Sequence, residues 1–199
     1  MFGIIRMLLW LLVLGICTAI MKKYNLRCKK IQGILLIVVC FALWIFSMLL
    51  PIENLFMNFE TPEESFRYVN FEDVKMVVYG QDSALVVGKK NESTYLIVPK
   101  SKNGWKIGRG LDTKFISNKF VDGIIVSVYQ YKATKEYFVE VENINGERCV
   151  LSHNRDSDFV VIEEKSNKKS IYRYYTYVHN LDENYIIKVN GKEVYIEKR

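Results

Sequence analysis

Four residues with catalytic or metal-binding chemistry crowd one short stretch: Cys149, His153, Asp156 and Asp158. A cysteine near a histidine invites a thiolate nucleophile with its base. The spacing matches no nucleophile elbow, however, and His153 falls in the polar turn Ser152-His153-Asn154-Arg155-Asp156. No paired-ligand spacing of the zinc kind is present. A cation site built from Asn154, Asp156 and Asp158 lacks the Gly and the distal Glu of a calcium loop. Among these acids, Asp156 and Asp158 suit an enzyme best because they share the turn with His153. The segment Gly104-Trp105-Lys106-Ile107-Gly108-Arg109-Gly110 has the glycines of a phosphate loop. It has no strand-to-helix context, and Trp105 and Ile107 would crowd a phosphate. This reading assigns no catalytic residue, no cofactor and no metal, and the chain is expected not to be an enzyme.

A second concentration of chemistry is aromatic. Tyr172, Tyr174, Tyr175 and Tyr177 lie in Tyr172-Arg173-Tyr174-Tyr175-Thr176-Tyr177, and such a group can form a platform for a glycan or a peptide. On a strand, alternation puts Tyr172 and Tyr174 on one face and Arg173, Tyr175 and Tyr177 on the other. Cross-strand aromatic pairing that stabilises a sheet explains the same run. Cys149 is the one cysteine after residue 53, so no disulfide is expected within that part, and its strand position suits a buried small hydrophobe.

The elements that must carry these residues are mostly strands. Thr61-Pro62-Glu63-Glu64 combines an N-cap, a first-turn proline and a capping-box Glu, which predicts a helix from Pro62 to about Asn70. From Val74 the pattern alternates and is rich in Val, Ile, Tyr and Phe. Three stretches look alike, each a Tyr-led strand, an Asn-Gly turn and a return strand, with Gly104, Gly146 and Gly191 in the turns. Those glycines are expected at positive φ, and the last turn, with only Asn190-Gly191 between strands, is the clearest hairpin. Each unit has further strands before it. The spacing suggests three antiparallel meanders (74–110, 111–155, 156–199) in a blade-like or sandwich arrangement.

Residues 1–52 carry six cations and no anion, whereas residues 53–199 are formally neutral, so the basic balance is no nucleic-acid footprint. Ile31–Ile52 runs without a charge, and Met1–Met21 is interrupted only by Arg6. Together they predict two transmembrane helices joined by a basic cytoplasmic loop, 22–30, with both termini and residues 53–199 outside the plasma membrane. A cleaved signal peptide over residues 1–21 is the rival. The expected partners are the lipid bilayer and another membrane or cell-envelope protein.

The two apolar stretches, Thr61-Pro62-Glu63-Glu64-Ser65-Phe66, the strand pair at Val74 to Gly88 and Asn103-Gly104-Trp105-Lys106-Ile107 resemble a diffuse group of small membrane-anchored proteins of Gram-positive bacteria. The likeness covers about residues 60–110. It implies a cell-surface location and carries over no functional residue. The function expected is a membrane-anchored, mainly β extracytoplasmic module for binding, sensing or assembly. The alternatives are a cell-envelope hydrolase or transferase, and an immunity or accessory protein for a secreted peptide.

Overall fold

The computed structural model describes residues 2–23, 30–49, 51–90, 94–108, 112–132, 134–155, 157–165, 170–182 and 184–196. Two helices, α1 (Phe2–Lys23) and α2 (Lys30–Leu49), come first and pack on each other. Among the described residues no helix is long and apolar enough to cross a membrane, which overturns the two-span plasma-membrane placement. The physical reason is length. The uncharged part of α1, from Met7 to Met21, spans about 22 Å as a helix. Lys30 opens α2, and the uncharged run from there to Leu49 spans about 28 Å, against a hydrocarbon core of about 30 Å. A separate 3-10 turn, Ile52–Leu55, follows and buries Glu53 rather than extending α2. The central part of the basic loop, 24–29, lies outside the described residues.

The remainder is mainly β and antiparallel. Helix α3 (Pro62–Asn70) forms where its cap predicts, Thr61 Oγ1 accepting from the Glu64 amide at 3.2 Å. The Glu64 side chain reaches one residue past the cap and accepts from the Glu60 amide at 3.1 Å. A four-stranded sheet follows in the order β1 (Val74–Tyr79), β2 (Ser83–Gly88), β3 (Tyr95–Ser101), β4 (Gly104–Trp105). Phe66 of α3 packs on one face with Ala84, Val86, Val98 and Trp105, and the other face holds Val78, Leu85, Val87 and Ile97. Both faces are covered, so every residue of β2 is buried.

The second sheet has five strands in the order β5 (Thr113–Val121), β6 (Ile124–Tyr131), β7 (Glu136–Asn143), β10 (Ser170–His179), β9 (Val160–Lys165). The third runs β12 (Lys192–Tyr195), β11 (Ile186–Val189), β8 (Leu151–His153). The five-stranded sheet lies between the other two, with one core cluster on each of its faces.

The Asn190-Gly191 hairpin forms as expected, with φ of 50° and 82° at its two turn residues. Gly104 and Gly146 also have positive φ. The threefold meander does not form. β8 pairs with β11 and not with β7, and β10 inserts beside β7, so strands of the second and third units are exchanged. The exchange lets the aliphatic faces of β7 and β11 bury against each other, which no serial blade would do.

Candidate functional site

Strand register sorts the side chains of the five-stranded sheet into rows. On the face toward the four-stranded sheet, one row reads Phe120, Ile125, Glu142, Arg173, Ile162; the next reads Asn118, Ser127, Glu140, Tyr175, Val160; a third reads Phe115, Tyr129, Phe138, Tyr177. Charged and phenolic groups therefore meet at the centre of a sheet face, where burial forces them to find one another.

Glu140 is the hub. Its Oε1 accepts from the Tyr175 hydroxyl at 2.9 Å, and its Oε2 accepts from the Tyr129 hydroxyl at 3.1 Å. Arg173 stands between the two carboxylates, with Nε 3.9 Å from Glu140 and Nη2 donating to Glu142 at 3.3 Å. Burial raises the Glu140 carboxyl above its usual range, against the downward pull of the Tyr175 and Tyr129 hydrogen bonds and of Arg173. Burial and the Glu140 charge push both phenols far up, so they stay protonated and keep donating. At the edge of the cluster Tyr129 touches two further rings, Tyr95 at 4.8 Å and Phe115 at 5.7 Å. Phe115 is 53% exposed and Phe120 66%.

Four residues back along β7, Glu136 does a different task. It is 2% exposed and accepts from the Gln81 and Asp82 amides at 2.7 and 2.8 Å, from Ser83 Oγ at 2.7 Å and from the Tyr177 hydroxyl at 3.2 Å. One carboxylate thus fastens the β1–β2 turn to the five-stranded sheet. The turn tolerates no side chain at Gly80, where a Cβ would sit 2.7 Å from that carboxylate.

The four tyrosines of β10 divide between the two faces of the sheet. Alternation is as expected, but Tyr175 and Tyr177 give their hydroxyls to Glu140 and Glu136, with Tyr177 raised to about 12 by burial and by Glu136. On the opposite face Tyr174 is buried and accepts from the Cys149 amide at 2.7 Å, while Tyr172 packs under Arg148. Cys149 and His153 are not joined. The thiol takes its contacts from the Asn143 and Asn190 amides and is raised by burial, whereas His153 Nε2 faces Ser157. Asp156 lies outside the described residues, as do Arg109 and Gly110 of the glycine segment. Among the described residues no group of His, Cys, Asp and Glu could hold a metal ion.

Glu136, Glu140, Glu142 and Tyr129 escape a reading based on catalytic motifs. Their signal was nevertheless present in Glu136-Tyr137-Phe138-Val139-Glu140-Val141-Glu142, where acids alternate inside a strand too apolar to be exposed. A charge in such a strand must be paired.

Elsewhere, α1 and α2 enclose an apolar cleft of about 260 Å³ lined by Trp10, Leu14, Cys40 and Trp44 among others. A smaller one of about 130 Å³ lies where the Asp122, Asn145 and Asn190 turns converge. No protein-family model, no curated protein and no solved structure matches the chain.

Proposed function

We propose that the chain is a binding module without catalytic activity, whose ligand surface is the exposed edge of the five-stranded sheet formed by Phe115, Asn118 and Phe120 of β5. The observation that carries this reading is two exposed phenylalanines on the edge strand β5, one of which, Phe115, packs on Tyr129, whose hydroxyl donates to Glu140 of the charge cluster. Glu140 accepts two phenol hydrogen bonds and faces Arg173, an arrangement that fixes geometry and leaves no base poised over a nucleophile. Preorganised polar groups next to exposed aromatic rings are the ordinary composition of a recognition surface, where the rings supply contact area and the fixed charges supply orientation. The large apolar side chains that α1 and α2 expose, such as Leu8, Leu12, Ile34 and Phe41, add a second surface suited to assembly.

The test is retention of the full-length chain on arrays of oligosaccharides and short peptides. Retention that is lost in a Phe115→Ala/Phe120→Ala variant of unchanged thermal midpoint supports the reading. Retention unaffected by the double substitution, or chemical turnover of the retained molecule, removes it.

A further inference from the structure

Strand β5 closes one end of the five-stranded sheet, and among the described residues no strand pairs with its outer side. Its hairpin partner β6 fixes which backbone groups that side offers. Val121 and Ile124 flank the two-residue Asp122-Gly123 turn and form its hydrogen-bonded pair, and bonded and non-bonded pairs alternate along an antiparallel ladder. Phe120 opposite Ile125 and Asn118 opposite Ser127 therefore turn their N–H and C=O groups away from β6. From the far end of the ladder, where the Lys132 amide donates to the Asp112 carbonyl, the same alternation turns Phe115 outward.

A bulge aligns the side chains as well. On an unbroken strand, alternation would put Phe115 and Phe120 on opposite faces. The register shift between Phe115 and Ser117 adds one residue to β5, so both phenylalanines, with Asn118 between them, share one face. Lys114 and Lys119, opposite Gln130 and Val126, lie on the other face, and β5 contains no acid. The edge is thus aromatic on one face and basic on the other, with outward amides and carbonyls between. A second copy of β5 would bring lysines toward lysines, and charged edge strands of this kind oppose pairing with themselves. An extended segment that alternates apolar and acidic residues complements both faces and the backbone at once.

We propose that β5 receives an extended peptide as an added strand: its backbone bonds Phe115, Asn118 and Phe120, its apolar side chains lie on the phenylalanine face and its carboxylates lie toward Lys114 and Lys119. This inference rests on the ligand surface assigned above and names its ligand as a strand of alternating apolar and acidic residues.

The probe is a synthetic peptide alternating Val and Glu, added to the full-length chain. Amide exchange at Asn118 and Phe120, followed by NMR, should slow about tenfold at a peptide concentration about ten times Kd, because only the unoccupied edge exchanges freely. A peptide alternating Val and Lys should bind about tenfold or more weakly through like charges, and the Val/Glu peptide N-methylated at its valines should do the same through lost backbone donors. Lys114→Glu/Lys119→Glu should exchange the preference between the Glu and Lys peptides. Unprotected Asn118 and Phe120 amides, or equal binding of the N-methylated peptide, overturn strand addition. Protection of those amides without peptide that grows with protein concentration overturns it in favour of a second copy. An array ligand whose retention needs Phe115 and Phe120 but leaves the Asn118 and Phe120 amides exchanging overturns strand addition alone. Retention of nothing through the phenylalanines removes the ligand surface with it.

Discussion

The two faces of the five-stranded sheet are buried by opposite means. Toward β11 and β12 the contact is aliphatic, with Val126, Val128, Val139 and Val141 meeting Ile187, Val189 and Val194. Toward the four-stranded sheet, a smaller apolar patch is interrupted by Glu136, Glu140, Glu142 and Arg173, which are paired or hydrogen-bonded. An aliphatic interface gains about 1.5–3 kcal/mol for each large side chain fully buried and tolerates small slips. A polar interface gains little net energy, yet it penalises any arrangement that leaves a carboxylate or an amide unpaired. The first face therefore supplies stability and the second supplies orientation.

The sharpest way to break that contrast is Glu136→Ala, which strands two amides and the Ser83 hydroxyl at once. A loss of about 3–5 kcal/mol is expected in urea unfolding, comparable with breaking a buried ion pair. A loss below about 1 kcal/mol would mean that the β1–β2 turn does not depend on this carboxylate. Next comes Ile187→Ala on the aliphatic face, with an expected cost of about 3 kcal/mol from lost burial and a residual cavity, and with no pH dependence.

Arg173→Ala should cost about 1–3 kcal/mol at pH 7, because Glu140 and Glu142 lose their shared cation. It also sharpens the comparison through pH. The Glu140 carboxyl is raised by burial in the fold, so its charged form works against folding above the folded-state value, and that cost is relieved as the pH falls through it. The variant should recover stability between pH 7 and pH 5 more than the wild type does, as read from thermal midpoints. A parallel pair of pH profiles would show that Arg173 does not hold the Glu140 charge. The smallest effect belongs to the Asn190-Gly191 turn. Nothing lies within 4 Å of a Cβ added at Gly191, so Gly191→Ala meets only backbone strain at φ 82°, about 1–2 kcal/mol in chemical unfolding.

Local features were legible from the residues alone. Thr61 and Pro62 start α3, Asn190-Gly191 closes a two-residue hairpin, and β10 alternates its tyrosines as the pleat requires. Each depends on neighbours within a few positions, where covalent geometry and one or two backbone hydrogen bonds decide the outcome. The Asp122-Gly123 turn between β5 and β6 obeys the same rule, with φ of 50° and 78°, and was equally open to prediction. Tertiary structure decided the rest. Which strand lies beside β7 depended on which faces could be buried together, and β10 satisfies that condition where the nearer β8 does not. The Glu136 clamp draws donors from residues 81–83 and from Tyr177, and the Glu140 cluster draws on β6, β7 and β10. A sequence shows that a carboxylate in an apolar strand needs partners. Only the packed fold selects them, because hydrogen bonds over such separations form where the chain's hydrophobic faces have already brought the segments together.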